Sequence, residues 1–467
     1  MSNTVRREAR GVEAYGCRAA LNTVYPKLDV GTVRTCSRRR LSSEGSQATM
    51  IGNLARHARF RGWTIAALML GPRAGGTGTY IMGGTLFVIP LEEALGLERS
   101  TSSVLFAVGS MVAGLSAPVS GALMDRYGPR MTLLISVLVS ALGYVLFAFS
   151  TNTMMVFIVF IGVISPVILN VAFNASAAFV NNWFDRYKAT AMSFLQVGSS
   201  AGAIIIIPTM AFVIDTWDWR WAAGVAAGFV LVLGLPAAWW SRNTPEEVGL
   251  RPDGEEPANH GHMATMIEPT AREAFRTPTF WFMVGAVMFF GGAQAGISIH
   301  FVPMMVWKGL GEVEGAWVLT VMALVTTPAV LVMGPLADRL GRLTMAGITS
   351  ALVAGGIALL NFADERWAVW GAALIIAPNF GMYPLIWAAL GEAFGRKAFS
   401  TIRGMVMGLS IAGTLGVPIG AGILFDRTGS YTTVLWAITA MWLAAAALLF
   451  LAPRRSYVRV EFPAPQL

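Results

Sequence analysis

The stretch MTLLISVLVSALGYVLFAFS, residues 131–150, runs for 20 residues without a charge. The hydrocarbon core of a bilayer is about 30 Å thick, and a helix rising 1.5 Å per residue crosses it in about 20 residues. Eleven more stretches are comparably long and apolar. The full set is 63–90, 102–123, 131–150, 153–180, 189–214, 221–241, 279–305, 315–336, 345–362, 367–391, 402–425 and 432–452. Several are interrupted by Gly or Pro. In lipid every backbone polar group must be satisfied internally, so uninterrupted runs of this length are read as helices. The predicted fold class is therefore an all-α membrane protein with twelve transmembrane helices. Only 13% of the chain is charged and 55% is hydrophobic, against about 25% charged in a soluble domain, so a wholly soluble fold is excluded.

The longest polar gap after the N-terminal tail is RNTPEEVGLRPDGEEPANHGHMATMIEPTAREAFR, 242–276, which separates the spans six and six. Its Pro, Gly and seven acids read as a solvated linker. The domain plan is a basic tail (1–62), an N-terminal six-helix bundle (63–241), the linker (242–276), a C-terminal six-helix bundle (277–453) and a short C-terminal tail (454–467). The net charge of +8 does not mark a nucleic-acid binder, because the Lys and Arg sit in the tail and in short gaps between apolar runs. With both termini inside, sixteen basic residues fall in inside gaps, Arg403 among them, against five outside: Arg99, Arg220, Lys308, Arg366 and Arg427. The positive-inside rule then orients both termini toward the cytoplasm, in a bacterial inner or plasma membrane. The tail lacks the apolar core of a signal peptide. It reads as a transit-like segment, a disordered arm, or the product of an upstream start with Met50 as the true one. Cys17 and Cys36 both lie there, so a disulfide framework is absent and no metal or cofactor is expected.

Two gaps share a motif. GALMDRYGPR, 121–130, and GPLADRLGRL, 334–343, match at Gly121/Gly334, Leu123/Leu336, Asp125/Asp338, Arg126/Arg339 and Gly128/Gly341. Arg342 echoes Arg130 one place early. A second echo joins WFDRYKA, 183–189, to AFGRKAF, 393–399. The chain is thus two copies of one six-helix plan, an architecture of transporters. The motif glycines let a helix end press on its neighbour. The aspartates can accept hydrogen bonds from a helix N-terminus and pair with an Arg. Arg126, Arg130, Arg339 and Arg342 can bridge to acids or helix C-termini in adjacent gaps.

On these residues the chain resembles the major facilitator superfamily over roughly 63–453. The resemblance implies twelve helices in two pseudo-symmetric bundles, transport by alternating access, and a conformational latch at Gly121, Asp125, Arg126, Gly128, Arg130, Gly334, Asp338, Arg339, Gly341 and Arg342. Within the superfamily, NNWFDRYKATAMSFLQVGSSAGAIIIIP (181–208), GISIHFVPMM (296–305) and GVPIGAGILFDRTGSY (416–431) resemble the monocarboxylate and oxalate/formate carriers. That implies a small organic anion as substrate, either a mono- or a dicarboxylate. One departure stands out. Such carriers often hold Asp and Arg in the eighth helix, where this chain has Thr326 and Val330, and no mid-span Lys or Arg is read in its eleventh.

No acid lies mid-span, and of the bases only Arg73, in LMLGPRAGGTGTY, falls well inside one. A charge at the bilayer centre costs at least about 2.5–3.5 kcal/mol on insertion scales, so Arg73 needs water, a partner or a substrate. An anion suits a guanidinium through a two-pronged hydrogen bond. The alternative is that the membrane part of the span begins after residue 75 and Arg73 snorkels to the interface. The neighbouring Gly71, Pro72, Gly75, Gly76 and Gly78 point to a broken or closely packed helix. The candidate substrate-binding set is Arg73, Tyr80, Asn174, Gln196, Gln294, His300, Asn379 and Tyr383, the polar groups at membrane depth; Asn170 is another. His300 can also relay a proton or simply pack, and the amides can instead bond between helices. The expected partners are a small anionic molecule, the lipid bilayer and a coupling proton or counter-anion. A rival reading is an exporter of apolar or drug-like compounds on the same fold. An enzyme is not expected, because nucleotide loops, metal-spaced His/Cys sets and nucleophile motifs are missing.

Overall fold

The computed structural model describes residues 61–96, 99–254, 265–453 and 459–461. Of the basic tail only residues 61–62 are described; both its cysteines lie outside the described residues, as does most of the C-terminal tail. The described residues belong to one compact unit. Among the described residues twelve helical segments follow one another. They are α1 (61–95), α2 (Arg99–Leu115 and Ala117–Tyr127), α3 (Pro129–Ala148), α4 (Thr153–Trp183), α5 (Lys188–Thr216), α6 (Trp219–Trp240), α7 (Pro278–Trp307), α8 (Glu312–Leu340), α9 (Arg342–Phe362), α10 (Arg366–Phe394), α11 (Phe399–Thr428) and α12 (Thr432–Leu451). Eleven of them, with the bent pair of α2 taken as one, are long and apolar enough to cross a membrane, and α1 is a run of shorter α, π and 3-10 turns. A three-residue antiparallel ladder, Thr265–Ile267 with Arg459–Glu461, is the one sheet among them.

The breaks have local causes. The two parts of α2 are bent by 41°. Pro118 cannot donate to the carbonyl of Gly114, and the Ser116 hydroxyl turns to the Ala113 and Pro166 carbonyls at 2.8 and 2.9 Å. Within each half α3 packs on α6 and α9 on α12. Outer faces of these helices expose large apolar side chains such as Trp221, Val232, Leu352 and Leu443, the surface a lipid solvent requires.

The halves meet mainly through the linker-side ends of α2, α5, α8, α10 and α11. The doubled motif builds this contact. A Cβ at Gly121 would fall 2.2 Å from the Ser400 carbonyl oxygen, and one at Gly334 would fall 2.8 Å from the Thr190 Cα. Only a residue without a side chain permits either approach. Gly128 and Gly341 hold φ of 84° and 98° at the turns that follow, a region L side chains rarely adopt. Asp125 accepts from the Ser400 and Thr401 amides at 3.1 and 2.8 Å and from the Thr401 hydroxyl at 2.6 Å. Asp338 accepts from the Ala189 and Thr190 amides at 3.0 and 2.8 Å and from the Thr190 hydroxyl at 2.7 Å. Each half therefore caps a helix N-terminus belonging to the other.

The arginines divide differently from their sequence echo. Arg342 bonds Asp338 (3.2 Å), Glu392 (3.3 Å) and, across the halves, the Asp185 carbonyl. Arg130 stays in its own half, donating to the Ala238 and Trp239 carbonyls at the end of α6 at 3.0 and 3.1 Å. The one-residue shift between them sends the two guanidiniums to different neighbours. Arg126 and Arg339 are exposed.

The linker is not simply solvated. Asp253 accepts from the Asp185 and Arg186 amides at 2.9 and 2.6 Å, and Glu268 from the Arg396 and Lys397 amides at 2.9 and 2.6 Å. These are equivalent loops of the two halves. Arg396 then reaches Asp185 at 2.8 Å and Glu246 at 3.2 Å. The reason is that loop amides just ahead of α5 and α11 have no helical partners, and the linker carboxylates supply acceptors.

Gly121→Val is expected to separate α2 from α11 and to lower stability by the overpacking cost of about 1–3 kcal/mol. Thermal unfolding in detergent measures it, with Gly162→Val, where a Cβ meets nothing within 4 Å, as the silent control.

Candidate functional site

The helices that line the space between the halves are irregular where they face it. In α1 the α-helical turns Leu70–Gly76 pass into a π turn, Thr77–Ile81, and then a 3-10 turn, Gly83–Phe87. In α4 two π turns, Phe160–Ile164 and Asn170–Asn174, flank Pro166. In α10 a 3-10 turn spans Ala377–Gly381 around Pro378. Such turns rotate side chains away from the regular helical register and occur often at functional sites. α1 and α5 approach closely, since a Cβ at Gly202 would fall 2.3 Å from the Ala74 carbonyl oxygen.

Arg73 is 7% exposed and lies inside this packing rather than snorkelling to a surface. Its Nε donates to the Ser199 hydroxyl at 2.9 Å and its Nη2 to Gln196 at 3.4 Å, both on α5. Its guanidinium carbon lies 4.7 Å from the centroid of Phe173. Acids are absent from its partners.

A second buried cation corrects the sequence reading. Arg403 is not a gap residue, for α11 begins at Phe399 and Arg403 is already in its second turn. It is 4% exposed. It donates to the Asn174 side-chain oxygen of α4 and lies 4.6 Å from the centroid of the Trp387 ring. Its Nε has no hydrogen-bond partner. The hydropathy pattern placed the start of the span at 402 and left Arg403 among the topology charges. The repeat could have found it. α5 opens at Lys188 and α11 at Phe399, an offset of 211, which puts Arg403 opposite Met192, inside the helix.

Arg73 and Arg403 line one cavity of about 410 Å³, built from both halves, and no Asp or Glu lines it. Gln196, Gln294 and Tyr383 line it as well, as do Phe173 and Trp387, which were not singled out from sequence. The other candidates sit behind or away from its wall. Tyr80 bonds Ser165 at 2.8 Å and stacks on Phe160. Asn379 accepts from Gln294 at 2.9 Å and so orients it. Asn174 holds Arg403 and is itself held, donating to Asn170 at 2.9 Å, while Asn170 donates to Ser136 at 3.3 Å. His300 ties α7 to α11 and α12: its Nε2 donates to the Pro418 carbonyl at 3.1 Å and its Nδ1 faces the Tyr431 hydroxyl at 3.2 Å. Thr326 uses its hydroxyl on the Met322 and Ala377 carbonyls.

Chemically the cavity offers two guanidiniums with unspent donors, amides and hydroxyls at the edges, and aromatic walls. Among the described residues no group of His, Cys, Asp and Glu is arranged to hold a metal.

Comparison with known proteins agrees with this architecture. The Major Facilitator Superfamily model matches residues 74–409. Human monocarboxylate transporter 11 is 26% identical over 389 residues, covering 79% of this chain and 78% of that protein. Mouse monocarboxylate transporter 12 is 21% identical over 405 residues, covering 80% and 81%. Among solved structures, FucP, a transporter of the same superfamily in the outward conformation, superposes with a TM-score of 0.65 at 15% identity, covering 83% of this chain and 98% of that one.

His300→Ala removes a strut remote from the cavity. It is expected to cost about 0.5–1.5 kcal/mol for each hydrogen bond lost and to leave any stabilisation by carboxylates the same as in the unsubstituted protein. Thermal unfolding with and without a carboxylate panel checks both.

Proposed function

The chain belongs to the Major Facilitator Superfamily, and from that premise we propose that this multi-pass membrane transporter carries a small organic anion, a mono- or dicarboxylate, by alternating access. One observation carries the reading: two buried arginines, one from each half, share a cavity lined by no acid. Desolvating a cation in a membrane is costly unless it is paired. The structure offers these two only neutral oxygens and aromatic faces. A carboxylate supplies the missing charge through charge-assisted hydrogen bonds. The names of the monocarboxylate relatives support the same class.

The residues take roles as follows. Arg73 and Arg403 bind the carboxylate, replacing the charges that carriers of this kind hold near Thr326 and Val330. Gln196, Gln294 and Tyr383 shape the rest of the site. The linker side is the cytoplasmic side, with both termini there. The motif at Gly121–Arg130 and Gly334–Arg342 latches it shut in this conformation. Alternating access would then break the Asp125 and Asp338 caps and open a path from the same cavity to the cytoplasm. The transport is secondary active, coupled to a counter-anion or a proton, or facilitative.

The experiment is uptake of labelled mono- and dicarboxylates into proteoliposomes, with and without unlabelled carboxylate inside. Arg73→Ala and Arg403→Ala are each expected to weaken apparent affinity roughly 10- to 150-fold, the equivalent of a hydrogen bond to a charged group. Uptake that survives both substitutions would overturn the anion reading and favour apolar compounds on the same fold.

A further inference from the structure

We propose that Asn174 is a positioning residue of the transport cycle: it holds Arg403 across the cavity in the empty carrier and yields it to the substrate anion. The proposal rests on the reading of Arg403 as a substrate-binding cation.

The two cavity arginines are tied unequally. Arg73 belongs to the first half and spends its bonds there, on Ser199 and Gln196. Arg403 belongs to the second half, and its recorded hydrogen bond crosses to Asn174 in the first. The pseudo-symmetric position is Met192, which has no charge to offer, so the tie is one-sided.

Asn174 is built to accept. It sits 7% exposed in a π turn of α4. Its amide nitrogen is committed to Asn170, and Asn170 to Ser136 on α3. That chain turns the Asn174 oxygen toward Arg403. The Arg403 Nε meanwhile stays unpaired and buried, so the guanidinium is held but not satisfied.

The tie also lies beside the latch. Ser400 and Thr401, whose amides Asp125 caps, lie three and two residues before Arg403 in the first turn of α11. The start of α11 is thus fastened to the first half at two points, one facing the linker side and one facing the cavity. A carboxylate in the cavity competes with Asn174 because it brings an opposite charge and can take two guanidinium N–H donors at once, where the amide oxygen is a neutral acceptor. Losing Asn174 as partner releases the cavity-facing fastening and leaves only Asp125. Substrate occupancy is thereby converted into a weaker hold on the linker side.

The test reads conformation in the empty, full-length protein, so it does not depend on which anion is carried. Tyr127 and Leu340 are 55% and 58% exposed at the linker-side ends of α2 and α8. Spin labels at Tyr127→Cys and Leu340→Cys, with Cys17→Ser and Cys36→Ser, report opening as a longer distance. Asn174→Ala should raise the open fraction roughly tenfold without substrate, the effect of one hydrogen bond to a charged group. Asn174→Asp should do the opposite, since a fixed carboxylate pairs Arg403 permanently; it should close the linker side and abolish carboxylate binding. Arg403→Gln should open the protein as Asn174→Ala does, and the double variant should open no further. A merely structural asparagine predicts the same direction for Ala and Asp, and that result, or additive opening in the double variant, overturns the proposal. Should Asn174→Ala fail to fold, Asn174→Asp and Arg403→Gln still test the opposite signs. Loss of the anion reading would appear separately, as Asn174 variants that shift the conformation as stated while the wild-type protein takes up no carboxylate.

Discussion

Two carboxylates decide how the halves of this protein can meet. Asp125 and Asp338 together hold four backbone amides and two hydroxyls at the N-termini of α11 and α5. Those amides have no intrahelical partner, and in a part-buried interface each would cost about 1–3 kcal/mol if left unmade. A single cap is worth about 1 kcal/mol, and a charged acceptor strengthens it. Since each aspartate serves the opposite half, the helix ends are satisfied only while the halves touch. The requirement for a glycine four residues earlier follows, because the aspartate reaches its amides only when the helices nearly collide at Gly121 and Gly334. The remaining features of the linker side, from Arg342 to the linker acids, are arranged around this contact.

The cavity obeys a different constraint. Its two cations are retained without acids, and the protein offsets the desolvation with soft partners: a hydroxyl, two amides and two aromatic faces. A cation–π contact contributes on the order of 0.5–2 kcal/mol, which falls short of a full ion pair. The site is therefore poised. A buried Asp beside either arginine would stabilise the empty protein and remove the reason for an anion to bind. The position of Arg403 near the positive end of α11 adds to the deficit, and the Asp125 cap at the same helix end partly compensates.

Much of this was legible in sequence, because membrane helices obey a strong and simple rule. The twelve spans, the division into halves and the doubled motif all follow from apolar length and a repeated spacing. What escaped did so for physical reasons. Arg403 looked like a topology charge because hydropathy marks where lipid begins, whereas the helix begins a turn earlier under the Asp125 cap. The proposed role of Asn174 depends on a π turn, which has no signature in residue types. The linker acids looked solvated because their partners are backbone amides, which every loop possesses. His300 was conspicuous as a lone titratable group at membrane depth, yet a histidine bonded through both ring nitrogens, to a carbonyl and a phenol, serves as a strut.

The repeat was the underused signal, and its imperfection is the more informative part. The halves share the caps, the tight glycines and the loops held by Asp253 and Glu268 at an offset near 211–213 residues. They differ where function is proposed. Arg403 faces Met192 across the pseudo-axis, and Arg73 has in its repeat position on α7 no basic residue. A symmetric pair of caps gives two ways to close the linker side but no preference tied to occupancy. Placing one bridging arginine on one half and one fixed arginine on the other breaks that degeneracy. An anion bound as proposed meets an anchor in the first half and a movable tie in the second, so its binding would act between the halves rather than within either.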